Sequence, residues 1–101
     1  MTDIDLAGLE AMTIESFAPR VGDRFVLENE HDSHELALVA CQPHGRSLQR
    51  EAFSLTFLGP ADPILTQRIY RLRHAELGIL EIFLVPVGSD SNGTRYEAAF
   101  T

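Results

Sequence analysis

The stretch Leu77–Thr101, LGILEIFLVPVGSDSNGTRYEAAFT, decides the fold. Ile79 to Val87 is the most hydrophobic run of the chain, and Thr94 to Phe100 is a second, shorter run. Between them stands Ser89-Asp90-Ser91-Asn92-Gly93. Asn-Gly is a strong turn signal, because both residues tolerate positive φ. The stretch therefore reads as a long strand, a tight polar turn and a closing strand.

The residues just before it supply a partner strand. Ile64 to Arg73 reads as a strand, and His74-Ala75-Glu76-Leu77-Gly78 as the turn that sends it back. If that turn sets Leu72 opposite Leu80, then Tyr70 meets Ile82 and Arg71 meets Glu81. Apolar pairs then share one face and an opposite-charge pair sits on the other, each contributing about a few tenths of a kcal/mol. A slip of one residue sets Arg71 against Leu80 and Tyr70 against Glu81, which mixes the faces. The better register puts Tyr70, Leu72, Leu80, Ile82, Leu84, Tyr96 and Phe100 in the core. It leaves Ile69, Ile79, Phe83 and Val85 on an outer face that is not polar.

Upstream, the period of two continues. Arg24 to Glu28 sets Phe25 and Leu27 on one side and Val26 on the other. Asn29 to Ser33 is a polar turn. Glu35 to Cys41 places Leu36, Leu38 and Ala40 on one face, with Ala37, Val39 and Cys41 opposite. Gln42 to Arg50, with Pro43 and Gly45, reads as a loop. Phe53 to Leu58 points Phe53, Leu55 and Phe57 inward and Ser54 and Thr56 outward, and Gly59-Pro60 stops it. Nearer the N-terminus, Leu6, Leu9 and Met12 fall on one face of a short amphipathic helix over Thr2 to Met12. Thr2 followed by Asp5 resembles a capping box, and Gly8 weakens the helix by about 1 kcal/mol relative to alanine. Thr13 caps a second short turn through Phe17, ended by Ala18-Pro19.

Short strands at even spacing are the pattern of an antiparallel barrel or sandwich. The expected fold is mainly β, with about six strands and a short N-terminal helix. It forms one domain over residues 1–101, with a helical segment over 1–19 and the antiparallel sheet over 21–101. A chain of 101 residues is long enough for one core and not for two domains.

Composition narrows the functions. The net charge is −7, and all eight positive residues are arginine. An acidic surface repels phosphate, and no arginine stripe with interleaved aromatics is present, so neither nucleic acid nor an anionic membrane is expected as a partner. One cysteine, Cys41, rules out an internal disulfide. The N-terminus lacks a basic segment ahead of an apolar one, and no apolar run approaches the roughly 20 residues that span a bilayer. The expected location is the cytoplasm.

The chemistry-bearing residues do not assemble into a motif. His31, His34, Cys41 and His44 put four potential zinc ligands within fourteen residues. A strand from Glu35 to Cys41 holds His34 and Cys41 roughly 20 Å apart, too far to share an ion. Cys41 with His44 as a base lacks a third, orienting group. The glycines stand singly at turns, with no phosphate-binding loop and no Gly-x-Ser-x-Gly elbow. Asn92-Gly93-Thr94 has the form of a glycosylation acceptor, but without a secretory signal it reads as a turn. No catalytic residue, cofactor or metal is expected. Arg68, Arg71, Arg73, Glu81, Arg95 and Glu97 read as a solvated sheet face, or as the charged rim of an interface.

Several stretches together carry a family resemblance: Phe17-Ala18-Pro19-Arg20-Val21-Gly22 with Phe25; Phe53 to Pro60, FSLTFLGP; Tyr70 to Gly88, YRLRHAELGILEIFLVPVG; and Arg95 to Phe100, RYEAAF. They resemble a family of small bacterial domains of unknown function, domain of unknown function 6916, over most of the chain from Phe17 onward. The resemblance implies a small β-domain and, as partner, a phage-tail-collar or fibre-like assembly. It transfers no catalytic residues. Ala75 stands where the family's turn is associated with proline.

Two classes of function follow. The first is a non-enzymatic binding or assembly module that binds a protein partner or self-associates. Its outer face of Ile69, Ile79, Phe83 and Val85 must be covered by Leu6, Leu9 and Met12, by a second copy or by a partner. The second is a small barrel enzyme or ligand carrier with a pocket at the barrel mouth, using His74, Tyr70 or Arg73.

Overall fold

The structure, a computed structural model, describes residues 12–46 and 51–100. The described chain begins with a one-turn helix, α1 (Ile14–Phe17), and a 3-10 turn (Ala18–Arg20). The Thr13 N–H donates to the Ser16 hydroxyl at the helix start (3.1 Å). The helix stops at Phe17 as expected, but the chain tightens into the 3-10 turn before extending. Pro19 suits that turn, because its fixed φ is already helical. The expected helix over Thr2 to Met12 lies, except for Met12, outside the described residues.

Six strands follow: β1 (Arg24–Glu28), β2 (Ser33–Arg46), β3 (Glu51–Gly59), β4 (Arg68–His74), β5 (Gly78–Asp90) and β6 (Gly93–Phe100). They run β1-β2-β3-β6-β5-β4, every pair antiparallel, and β4 closes on β1. The fold is a closed barrel, not a sandwich. The β4–β5 register is the one that separates the faces: Leu72 pairs with Leu80, Tyr70 with Ile82 and Arg71 with Glu81. All seven residues assigned to the core from this hairpin and β6 are buried.

The structure corrects the sequence reading at four places. Strand β2 runs on to Arg46, through residues expected to loop, with Pro43 paired opposite Phe53. A bulge between Leu38 and Ala40 shifts its phase. Leu38 pairs with Phe57 but Cys41 pairs with Leu55, so Cys41 turns to the core side and Ala40 away from it. Ser54, expected outward in water, is buried because His44 lies over it. Strand β4 begins at Arg68, not Ile64, because the preceding residues are drawn across the barrel end.

Both ends of the barrel are closed. At one end Phe17 of α1 is fully buried, its ring 6.0 Å from Phe53 and 5.6 Å from Phe100. At the other end the segment between β3 and β4 is held by two tyrosines of the barrel wall. The Leu65 N–H donates to the Tyr96 hydroxyl (2.9 Å), and the Tyr70 hydroxyl donates to the Thr66 carbonyl (2.7 Å). Between these caps the interior is filled by large apolar side chains, with Phe25 edge-on to Phe57 at 5.3 Å.

Candidate functional site

Because side chains fill the barrel, what the described residues offer a partner lies outside it. The outer face of the β4–β5 hairpin is where apolar side chains gather. Ile69 and Phe83 are direct cross-strand partners, 59% and 49% exposed. Phe83 stands apart from the other five phenylalanines of the chain, all of which are buried. Ile79 and Val85 are half-buried on the same strand. Met12 is half-buried against the core cluster. Leu6 and Leu9 lie outside the described residues.

A polar row runs beside this pair. Glu28 of β1, Arg71 of β4 and Glu81 of β5 are successive cross-strand neighbours. The expected Arg71–Glu81 register holds, yet their side chains form no ion pair. Glu28 pairs instead with Arg73. Beyond Glu28 the β1–β2 turn leaves the line of β4, and a groove of about 670 Å³ opens between them. Arg68, Ile69, Tyr70 and Arg71 line one wall, and Glu28 with residues 29–32 the other. Tyr70 is thus the single member of the His74, Tyr70 and Arg73 set to line this groove. Arg68 lies over the Tyr70 ring, 5.1 Å from its centre.

His74 sits at the other end of β4 and is buried. Its Nδ1 accepts the backbone N–H groups of Glu76 (3.0 Å) and Leu77 (3.1 Å), so Nδ1 carries no proton. The proton is therefore on Nε2, which donates to Asp23 Oδ2 at 2.8 Å. Both nitrogens are committed and the ring packs 4.6 Å from Phe25. His74 ties the β4–β5 turn to the start of β1, a structural task. Sequence inspection missed it because Asp23 is 51 residues away.

The four-residue histidine and cysteine set is dispersed. His31 stands beside Glu30 and His34 beside Asp32, while His44 bonds Ser54 at 2.8 Å. Cys41 points its Sγ toward the Ile14 carbonyl (3.9 Å) rather than to His44. Burial, reinforced by the Glu15 carboxylate, pushes the Cys41 thiol above its ordinary range, the reverse of what a nucleophile needs. Among the described residues no three His, Cys, Asp or Glu side chains converge as metal ligands. Nor is any helix among them long and apolar enough to cross a membrane.

Residues 12–100 match one protein family, described as Domain of unknown function (DUF6916). No curated protein and no solved structure matches the chain.

Proposed function

The chain belongs to this family, and we propose that it is a non-enzymatic binding or assembly module that docks a protein through the outer face of its β4–β5 hairpin. The observation that carries this is the Ile69–Phe83 pair. Two large apolar side chains meet across the strands and stay about half exposed, although the alternation that buries Tyr70 and Ile82 beside them is strict. Arginine on the border of such a patch is the composition of an interface rim. The reading as a module rather than an enzyme draws on His74, whose two nitrogens are spent on structure, and on the raised Cys41 thiol. The resemblance of the sequence points to a phage-tail-collar or fibre-like protein as the partner, with this module accessory to it.

The test is affinity capture from the native host with the wild-type chain and with the Ile69→Ser/Phe83→Ser double variant. A defined partner recovered by the first and lost by the second is expected. Equal recovery by both would overturn the reading. Light scattering on the same two proteins shows whether the occupant is a second copy, since a dimer would then become a monomer.

A further inference from the structure

The groove beside Ile69 has two features that specify what it takes. The first is an open strand edge. Arg68, Ile69 and Tyr70 pair with β5 on one side, but β1 ends at Glu28 opposite Arg71. On the groove side no strand of the described residues pairs with those three, and alternate residues there direct N–H and C=O groups into the groove. Unpaired edges are templates for an added strand, and proteins usually blunt them with proline, bulges or covering segments.

The second feature is charge. Arg20, Arg24, Arg73 and Arg95 each stand against a carboxylate. Among the described side chains, Arg68 and Arg71 do not, and both line the groove. The acids of the opposite wall are already engaged or turned away. Glu28 pairs with Arg73, Asp32 faces His34, and Glu30 is 92% exposed beside His31. Among the described side chains, the two arginines without a carboxylate are therefore Arg68, at the open edge, and Arg71, where β1 ends beside it.

We infer that the groove receives an extended segment of a partner protein as an additional strand on the β4 edge, and that this segment alternates carboxylate and apolar side chains. Arg68 and Ile69 lie on opposite faces of the sheet, so successive residues of an added strand meet them in turn. A carboxylate on one face reaches the planar guanidinium of Arg68, and an apolar side chain on the other packs on Ile69 and extends the Phe83 patch. This rests on the docking reading above and names the chemistry of its partner.

The experiment is an amide-resolved NMR titration of the full chain with the acetylated, amidated hexapeptide Glu-Val-Glu-Val-Glu-Val. Saturable shifts are expected at Arg68, Ile69 and Tyr70 and in the β1–β2 turn. The glutamine counterpart and the Arg68→Glu protein should each bind about tenfold more weakly, the effect of losing one charge-assisted hydrogen bond. A peptide with alternate backbone nitrogens methylated should also lose about tenfold, because strand addition depends on main-chain donors. Equal binding by the glutamine or methylated peptide, or shifts confined to other surfaces, overturns the inference. If no peptide moves Arg68–Tyr70 while the Ile69→Ser/Phe83→Ser variant still loses its captured partner, strand addition is overturned and the docking reading stands.

Discussion

Strands β4 and β5 carry two sets of side chains of similar composition that meet opposite fates. On one face Tyr70–Ile82 and Leu72–Leu80 are cross-strand pairs buried to 5% exposure or less. On the other, Ile69–Phe83 is just as apolar and about half in water. The backbone, the register and the neighbouring residues are shared, so strand propensity does not separate the sets. What separates them is cover. The inner face meets four other strands, α1 and the segment before β4, whereas nothing among the described residues lies over the outer one. A stability requirement explains the first set and leaves the second unexplained, which is why the docking proposal rests on the second.

The two faces differ most in what a truncation in the core costs. Leu72 is fully buried, so Leu72→Ala should cost about 2–5 kcal/mol in urea unfolding, through lost transfer energy and the cavity left behind. A cost under about 1 kcal/mol would mean the inner face is not the core described. Next is the β5–β6 turn. Gly93 has φ of 140°, and a Cβ there would collide with the Gly59 carbonyl of β3. Gly93→Ala should destabilise by about 1–3 kcal/mol, read as a fall in denaturation midpoint at unchanged slope.

The smallest effect belongs to the exposed tip of the same hairpin. The Asn92 N–H, then the Arg95 side chain, hold the Asp90 carboxyl below its ordinary range. A lowered folded pKa stabilises above the unfolded value, and that contribution is lost as pH falls through the folded value. Asp90→Asn should therefore melt slightly below wild type at neutral pH, with the two curves converging in acid. A gap that persists at low pH would point to geometry rather than charge.

The inner–outer division was legible in the sequence because it rests on local alternation. One register of Arg68–Leu84 segregates apolar from charged residues and the next does not, so side-chain identity alone selects it. Strand β2 was less legible. Both its faces are apolar around Val39, which hides a bulge, and Pro43 with Gly45 mimics a loop while the chain stays extended. The groove left no local signal. It exists because β1 ends three residues short of the start of β4, a relation between strands 40 residues apart that only the closed barrel reveals. The role of His74 was hidden for the same reason, its partner Asp23 being distant in sequence.

The central claim is that the Ile69–Phe83 pair is held for a partner and not for the fold. Equilibrium urea unfolding of the Ile69→Ser/Phe83→Ser chain, without any partner, tests it most directly. Loss of an exposed cross-strand pair should lower stability by about 1 kcal/mol or less. A loss near 4 kcal/mol, the value for two large apolar side chains taken out of water, would show that the chain itself buries the pair and would contradict the claim.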